Sequence, residues 1–106
     1  MENITIKQNK RSKKLEINIE NHFTVECIEE LKTNILDSLD SCKHLSMNFK
    51  SIENIDISGL QFIYSLQKEA TYKEINFELT FEGDEEIKNL LKKTGFENFI
   101  VTNNNN

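Results

Sequence analysis

Residues 45–81 read LSMNFKSIENIDISGLQFIYSLQKEATYKEINFELTF, and this stretch decides the fold. Its first five residues alternate between apolar and polar, which is typical of a strand with one buried face. Apolar residues then recur at helical spacing from Leu60, and the alternation returns over residues 75–81. A strand, a helix and a second strand in this order predict a βαβ crossover, which joins parallel strands.

The flanking sequence repeats this alternation of strands and helices. Residues 15–19 predict an earlier strand, residues 87–91 a short helix, and residues 99–101 a last short strand or packed tail. An amphipathic helix after the first strand is indicated by Ile28, Leu31, Ile35 and Leu39. Parallel strands covered on both faces are apolar throughout, whereas these strands alternate, so we expect helices mainly on one face. The sequence therefore predicts an α/β fold with a small, mostly parallel sheet of four to five strands.

Length and charge exclude several classes of protein. The 106 residues are enough for one domain, with an expected ordered core over about 13–101, a frayed basic N-terminus and an Asn-rich C-terminal end. The longest apolar runs have three residues, so we expect no membrane insertion. Five cations against one acid give residues 1–14 a charge of +4, and the net charge of −5 leaves the remainder at −9. We expect the Lys10–Lys14 group to be a solvated tail, and the acidic body argues against nucleic-acid binding.

The residues with reactive side chains do not form a known catalytic or metal-binding pattern. No apolar segment follows the basic N-terminus, so a signal peptide is not predicted and we expect a cytoplasmic protein. Cys27 and Cys42 lie outside CxxC or metal-ligand spacing and are predicted to be reduced thiols. His22 and His44 lack ligand-spaced neighbours and lie in no nucleophile motif. We predict no catalytic residue, no metal and no cofactor.

The segment Asp56-Ile57-Ser58-Gly59-Leu60 is the one best suited to a functional role. It places a hydroxyl where a strand end meets a helix N-terminus, whose first N–H groups lack partners and carry partial positive charge. Asp56 can cap these groups, and the same donors suit a phosphate on Ser58. Gly59 removes a side chain where a partner or phosphate must come close. A plain helix cap at Asp56 or Ser58 explains the same spacing, so both interpretations stay open here.

This order of elements and motifs resembles the STAS domain family, whose best-known members are the bacterial anti-sigma factor antagonists. The resemblance covers about residues 13–101. It rests on the segment Asp56–Leu60 in register with Gly83 and with Thr94-Gly95-Phe96. In that family a phosphorylatable Ser or Thr stands just before the glycine of this segment, and here that residue is Ser58.

Three positions depart from the family pattern. Ile57 stands beside the phosphorylation site where a second Ser or Thr is common. Lys73-Glu74 replaces a glycine before the following strand, and Asp84-Glu85-Glu86 follows Gly83 in place of a proline. These acids would repel a phosphate if they faced Ser58.

The resemblance implies a regulatory protein that acts by partner switching in transcription control. Unphosphorylated, it would bind an anti-sigma factor with serine-kinase activity, and phosphorylation of Ser58 would disfavour binding by repulsion and desolvation. A cognate phosphatase would reset the switch. ATP would belong to the kinase, so this chain, a monomer or weak dimer, would not be an enzyme. The expected partner-binding residues are Asp56, Ile57, Ser58, Gly59, Gln61, Phe62 and His22.

Two other functions fit the same motif. Stand-alone STAS subunits of lipid-transport ABC systems bind an ATPase permanently through the same helix face, and an exposed apolar shoulder at Leu60, Phe62 and Ile63 would suit that role. A scaffold associated with chemotaxis or two-component signalling is the third possibility. A permanent partner copurifies in a stoichiometric complex, whereas a switch partner leaves when Ser58 becomes Asp or Glu. Phe62, Tyr64 and Tyr72 are open between core and interface, because the helix has more apolar positions than one buried face requires.

Overall fold

A computed structural model describes residues 3–82, 85–93 and 100–101. Within these ranges five strands form one sheet and three helices connect or follow the strands. The elements in chain order are β1 (Ile4–Asn9), β2 (Lys14–Phe23), α1 (Val25–Asp40), β3 (His44–Ile55), α2 (Ile57–Tyr72), β4 (Asn76–Glu82), α3 (Glu85–Lys93) and β5 (Ile100–Val101).

The strands lie in the sheet in the order in which they occur along the chain. β1 is antiparallel to β2, and the pairs β2–β3, β3–β4 and β4–β5 are parallel. Because βαβ crossovers are right-handed, successive crossovers that advance in one direction place their helices on the same face of the sheet. The predicted α/β fold, with a mostly parallel sheet and helices mainly on one face, is confirmed.

Alternate residues of the central strands build the core beneath the helices. Three of them in β2 align with three in β3, and all six side chains are at most 1% exposed. They are Leu15, Ile17 and Ile19 in β2, and Leu45, Met47 and Phe49 in β3. The predicted stripe of α1 is buried against this layer, as are four residues of α2, namely Phe62, Ile63, Leu66 and Ala70. Burial of this apolar layer is the main stabilising contribution to the fold.

The opposite face of the sheet carries polar side chains that bond across the strands. The Asn48 amide nitrogen donates a hydrogen bond to the Asn18 side-chain oxygen over 2.8 Å, and the Thr80 hydroxyl bonds to the Asn48 oxygen. Asn18 in turn donates to the Glu16 carboxylate at 3.0 Å. This row explains why the strands alternate between apolar and polar residues.

The N-terminal residues differ from the expected frayed tail. Ile4–Asn9 forms strand β1, and Ile4 is buried in the core. The turn from β1 to β2 is held by the Asn9 side-chain oxygen, which accepts hydrogen bonds from the N–H groups of Arg11 and Ser12, each at 3.0 Å. Two apolar residues in a basic segment are too weak a local pattern to predict a strand. β1 forms because a six-residue ladder to β2 satisfies its backbone groups.

β2 and β3 are longer than the sequence predicted. His22, expected in a turn, lies in β2 opposite Asn54, and residues 52–55, expected in a connection, continue β3. The extension passes through irregular backbone, because Asn21 and Ser51 have φ values of 71° and 52° and the register shifts between Glu20 and His22. Such bulges break the hydrophobic alternation from which a strand is recognised. The signals at Gly83 and Thr94-Gly95-Phe96 lie outside the described residues.

α2 ends in a left-handed residue, as many helices do, although that residue is not glycine. Glu74 has a φ of 59°, and its N–H donates to the carbonyl of Thr71 at 3.2 Å. The N–H of Ile75 donates to the carbonyl of Ala70 at 2.7 Å. This pair of bonds defines a Schellman motif. The glycine that the family pattern has before β4 is therefore replaced by a glutamate in the backbone conformation that favours glycine.

Both cysteines are free thiols within the buried core. The Cys42 thiol donates a hydrogen bond to the His44 carbonyl at 3.0 Å, and burial raises its pKa above the ordinary value. A raised pKa keeps a thiol protonated and unreactive at neutral pH. Cys42 therefore acts as a core residue.

Candidate functional site

Asp56 joins the N-termini of the two long helices. One carboxylate oxygen accepts a hydrogen bond from the N–H of Gly59 in α2 at 3.0 Å, and the other accepts from the N–H of Val25 in α1 at 3.1 Å. The side chain of Thr24, the N-cap residue of α1, makes no capping bond within the described chain. One carboxylate therefore caps two helices and lies beside two positive helix ends. The capping interpretation is confirmed for Asp56, with a second helix that local spacing did not reveal.

Gly59 is buried where α2 crosses the end of β2. A Cβ atom at this position would lie 2.6 Å from the Phe23 carbonyl oxygen and 3.0 Å from both the Phe23 ring and the Ile55 side chain. Real Cβ atoms essentially never approach backbone atoms so closely. From the sequence we expected this glycine to leave room for the approach of a partner or a phosphate. The atoms that occupy the space are instead those of Phe23, so the glycine is required by the chain's own packing.

Ser58 is the second residue of α2 and lies half-buried at the surface. Its hydroxyl has no hydrogen-bond partner among the residues that the structure describes. Asp56, not Ser58, is the N-cap, so the hydroxyl serves no capping function. Ile57 beside it is 71% exposed and Gln61, one turn later, is also exposed. Ile57, Ser58 and Gln61 thus form an accessible surface at the start of α2, which we call the α2 tip.

Phe62 does not lie on this surface, and the expectation that it does is wrong. It is only 5% exposed, and its ring contacts that of Phe23 with the centroids 5.9 Å apart. Phe62 is three residues after Gly59, so the helical period turns it towards the same inner side. Its position is the floor of a groove of about 220 Å³ between α1 and α2, which Ser58 and Lys32 also line. The apolar shoulder expected at Leu60, Phe62 and Ile63 is likewise turned inwards, since Ile63 is fully buried and Leu60 only half-exposed.

His22 lies on the same end of the molecule as Asp56. Both residues line an open recess of about 570 Å³ at the ends of β2 and β3. The recess is polar and acidic, because Glu26 and Glu53 line it as well. No group of His, Cys, Asp or Glu within the described ranges has the arrangement of a metal site. The structure thus brings His22, Asp56 and the α2 tip to one end of the sheet.

Val25 is an exposed apolar residue that the sequence reading missed. It is 51% exposed at the start of α1 and lines the groove that Ser58 lines. The sequence signal was an apolar residue one position before Glu26, where the predicted helical pattern begins. Tyr64 and Tyr72, which the sequence left open, are both exposed on α2 further from its start.

A cluster of acidic residues lies at the end of β4 and the start of α3. Glu82 at the end of β4 is exposed, as are Glu85 and Glu86 in the first turn of α3. Acids in a first turn favour the helix through its dipole.

None of the helices among residues 3–82, 85–93 and 100–101 is long and apolar enough to cross a bilayer.

A protein-family model of the STAS domain matches residues 3–106. The chain belongs to the STAS family. The STAS fold is also seen in a solved structure of the anti-sigma factor antagonist SpoIIAA in its unphosphorylated form, which is 12% identical with a TM-score of 0.81 over 96% of this chain and 89% of that one. The Bacillus cell fate determinant SpoIIAA in the phosphorylated form gives 12% identity and a TM-score of 0.79 over 96% and 92%. At this identity the likeness shows a shared fold. A comparison with curated proteins finds no match.

Proposed function

We propose that this STAS domain binds an anti-sigma factor with serine-kinase activity, and that phosphorylation of Ser58 switches this binding off. The observation that carries the proposal is the state of Ser58, whose hydroxyl is accessible and has no partner within the described chain. A serine that served only to cap α2 would bond to the backbone, and Asp56 already does so. Ser58 is therefore available for modification without loss of a structural bond.

The chemistry of the α2 tip accounts for the effect of a phosphate. Ile57 presents an exposed apolar side chain and Gln61 a neutral one, so the unmodified tip is uncharged. A phosphate adds about two negative charges at neutral pH, which must be desolvated when a partner covers the tip. The acids Glu26, Glu29 and Asp56 lie on the elements around it. Binding is weakened because the added charge opposes burial of this surface.

The proteins with a similar fold support a proposal of this type. One is an anti-sigma factor antagonist, and SpoIIAA has been solved in both unphosphorylated and phosphorylated forms. For this chain the partner, the phosphatase that resets Ser58, the place in transcription control and the cytoplasmic location belong to the proposal. The chain contributes a binding surface, and the kinase supplies ATP and the catalytic residues.

A second function, permanent binding to the ATPase of a lipid-transport ABC system, is favoured by one observation. Ile57 and Val25 are 71% and 51% exposed at the adjoining starts of α2 and α1. Permanent interfaces are more hydrophobic than transient ones. A partner that covers both side chains permanently would make phosphorylation of Ser58 irrelevant.

The experiment that tests both functions is copurification from the native cells with two charge-adding variants. Ser58→Glu places a negative charge in the α2 tip, and Ser12→Glu places the same charge in the exposed β1–β2 turn at the other end of the sheet. We expect a kinase-like partner to be retained by the wild type and by Ser12→Glu and lost from Ser58→Glu. A stoichiometric transporter ATPase that stays bound to Ser58→Glu would support the second function. Equal retention of a kinase-like partner by all three proteins would contradict the switch.

A further inference from the structure

The β1–β2 turn and the end of α1 enclose a second recess, on the opposite end of the sheet from Ser58. It has a volume of about 270 Å³. Three lysines are among the residues that line it, together with two amide-bearing residues and a serine; these residues are Lys10, Lys13, Lys14, Gln8, Asn9 and Ser41. We call this site the lysine recess. No carboxylate is among the described residues that line it.

The charge of the lysine recess is uncompensated. Lys10, Lys13 and Lys14 form no ion pair with any residue that the structure describes. The acid at the end of α1, Asp40, is already bonded to Lys73 at 2.8 Å. Lysines that lie close together along the chain disfavour each other, because like charges repel. The chain as a whole has a net charge of −5, so this local concentration of positive charge stands out and favours the binding of an anion.

The backbone that carries these lysines is held in place by hydrogen bonds. Asn9 fixes the turn through the N–H groups of Arg11 and Ser12. The carbonyl oxygen of Lys13 accepts hydrogen bonds from the N–H groups of Lys43 at 2.8 Å and His44 at 3.2 Å. These bonds hold the turn against the start of β3. A fixed scaffold loses less entropy when a ligand binds, so the recess needs only side-chain movement to close around an anion.

We propose that the lysine recess binds a phosphate group. A phosphate offers several strong acceptor oxygens, and three ammonium groups are matched donors for charge-assisted bonds. Gln8 adds a neutral donor, because its side-chain oxygen is taken by the Ser38 hydroxyl at 3.4 Å and its NH₂ group remains. The phosphate can belong to a small phosphorylated molecule or to a phospholipid headgroup. Either ligand binds at the far end from Ser58, so this proposal does not depend on the proposed function.

The binding test uses the full chain with inorganic pyrophosphate as the probe. Chemical shifts of the backbone amides are followed by NMR as pyrophosphate is added at physiological salt. We expect saturable shifts confined to residues 8–15 and 41–44. The variant K10Q/K13Q/K14Q should weaken binding by at least about tenfold, since each charge-assisted bond contributes substantially. The matched control K50Q/K68Q/K92Q removes the same charge at exposed lysines elsewhere and should change binding by less than about twofold.

Vesicles distinguish the two sources of the phosphate. Phosphatidylcholine vesicles with and without phosphatidylglycerol are sedimented with the wild type and with both triple variants. Pyrophosphate binding without sedimentation assigns the site to a small phosphorylated molecule. Sedimentation that needs phosphatidylglycerol and is lost only in K10Q/K13Q/K14Q assigns it to a lipid headgroup.

Three outcomes overturn the proposal. The first is the absence of saturable shifts, and the second is an equal loss of binding in the two triple variants, which would indicate general charge attraction. The third is that K10Q/K13Q/K14Q lowers the urea midpoint and pyrophosphate does not raise the midpoint of the wild type. The lysines would then serve the negative end of α1, which has no basic residue in its last turn. A ligand that binds the folded state must raise that midpoint.

Discussion

The two ends of the sheet differ in how tightly they are packed and in the backbone conformations that they contain. At the end where β2 and β3 finish, which we call the site end, Asp56 caps two helices and Gly59 fits a space that admits no Cβ atom. At the end where these strands begin, the turn end, Lys13 and Glu74 hold left-handed φ values of 58° and 59° without being glycine. L-residues are strained in that region. Asn21 and Ser51, towards the site end, are left-handed as well, so strain alone does not distinguish the two ends. The site end is sensitive to substitution because it is tightly packed, whereas the strain at Glu74 is one that a substitution can relieve.

The largest effect is expected from Gly59→Ala at the site end. Its methyl group would lie 2.6 Å from the Phe23 carbonyl oxygen, so α2 or the end of β2 must move. We expect a loss of about 2–3 kcal/mol in the free energy of unfolding, the upper part of the range for overfilled cores. Urea denaturation followed by circular dichroism measures this loss. Ser58→Ala is the control and should be nearly neutral; a Gly59→Ala protein as stable as that control would show that the Phe23 contact does not limit residue 59.

Asp56→Ala should have the second largest effect. It removes caps from α1 and α2 together, and a single lost cap costs about 1 kcal/mol, so we expect about 2 kcal/mol. Asp56→Asn keeps one acceptor oxygen and should cost roughly half as much. The same urea titration reports both values, with exposed Asp37→Ala of α1 as a neutral control. A loss no greater than that for one cap would mean that the bond to Val25 contributes nothing.

At the turn end we expect Glu74→Gly to stabilise the protein, whereas the two substitutions at the site end destabilise it. Glycine adopts the left-handed conformation without strain, and part of that gain is offset by its greater entropy in the unfolded chain. We expect a stabilisation of about 0.5–1 kcal/mol, measured as a rise in the urea midpoint. Ser41→Gly after α1, where φ is −105°, is the comparison and should give no gain. If both glycines behaved alike, strain at Glu74 would not be the cause.

The smallest effect concerns Lys73, also at the turn end. A hydrogen bond and the charge of Asp40 raise the pKa of Lys73 above 10.5. A group whose folded pKa is raised stabilises the fold fully below its unfolded pKa and loses that contribution as pH rises through the folded value. The stability difference between wild type and Lys73→Met should therefore be present at neutral pH and shrink above pH 10.5. Concentrated salt should shrink it as well, because the pair is at the surface; a difference that ignores both pH and salt would exclude this ion pair as its source.

Much of the fold followed from the sequence because local periodicity reports which faces are buried. The stripe of α1 and the alternation in β2, β3 and β4 did so directly. β1 did not, because its order comes from pairing with β2 and from the Asn9 turn, and neither leaves a local apolar pattern. The strand extensions beyond Asn21 and Ser51 were hidden by bulges.

The sequence predicted where the candidate site lies better than it predicted what each of its residues contacts. The segment from Asp56 to Leu60 does begin a helix at a strand end, and Ser58 is accessible there. The bond from Asp56 to Val25 spans 31 residues, so no local spacing reveals it. The inward direction of Phe62 likewise depends on Gly59 lying against Phe23, a contact between distant parts of the chain.

The most direct test of the account measures the phosphorylated fraction of Ser58 in two pools of the protein from its native cells. The partner-bound and free pools are separated by size, and the Ser58 peptide is quantified by mass spectrometry in each. We predict an unmodified Ser58 in the bound pool and a phosphorylated Ser58 in the free pool, because the phosphate opposes burial of the α2 tip. An equal phosphorylated fraction in both pools, or an unmodified Ser58 in both under all growth conditions, would contradict the switch.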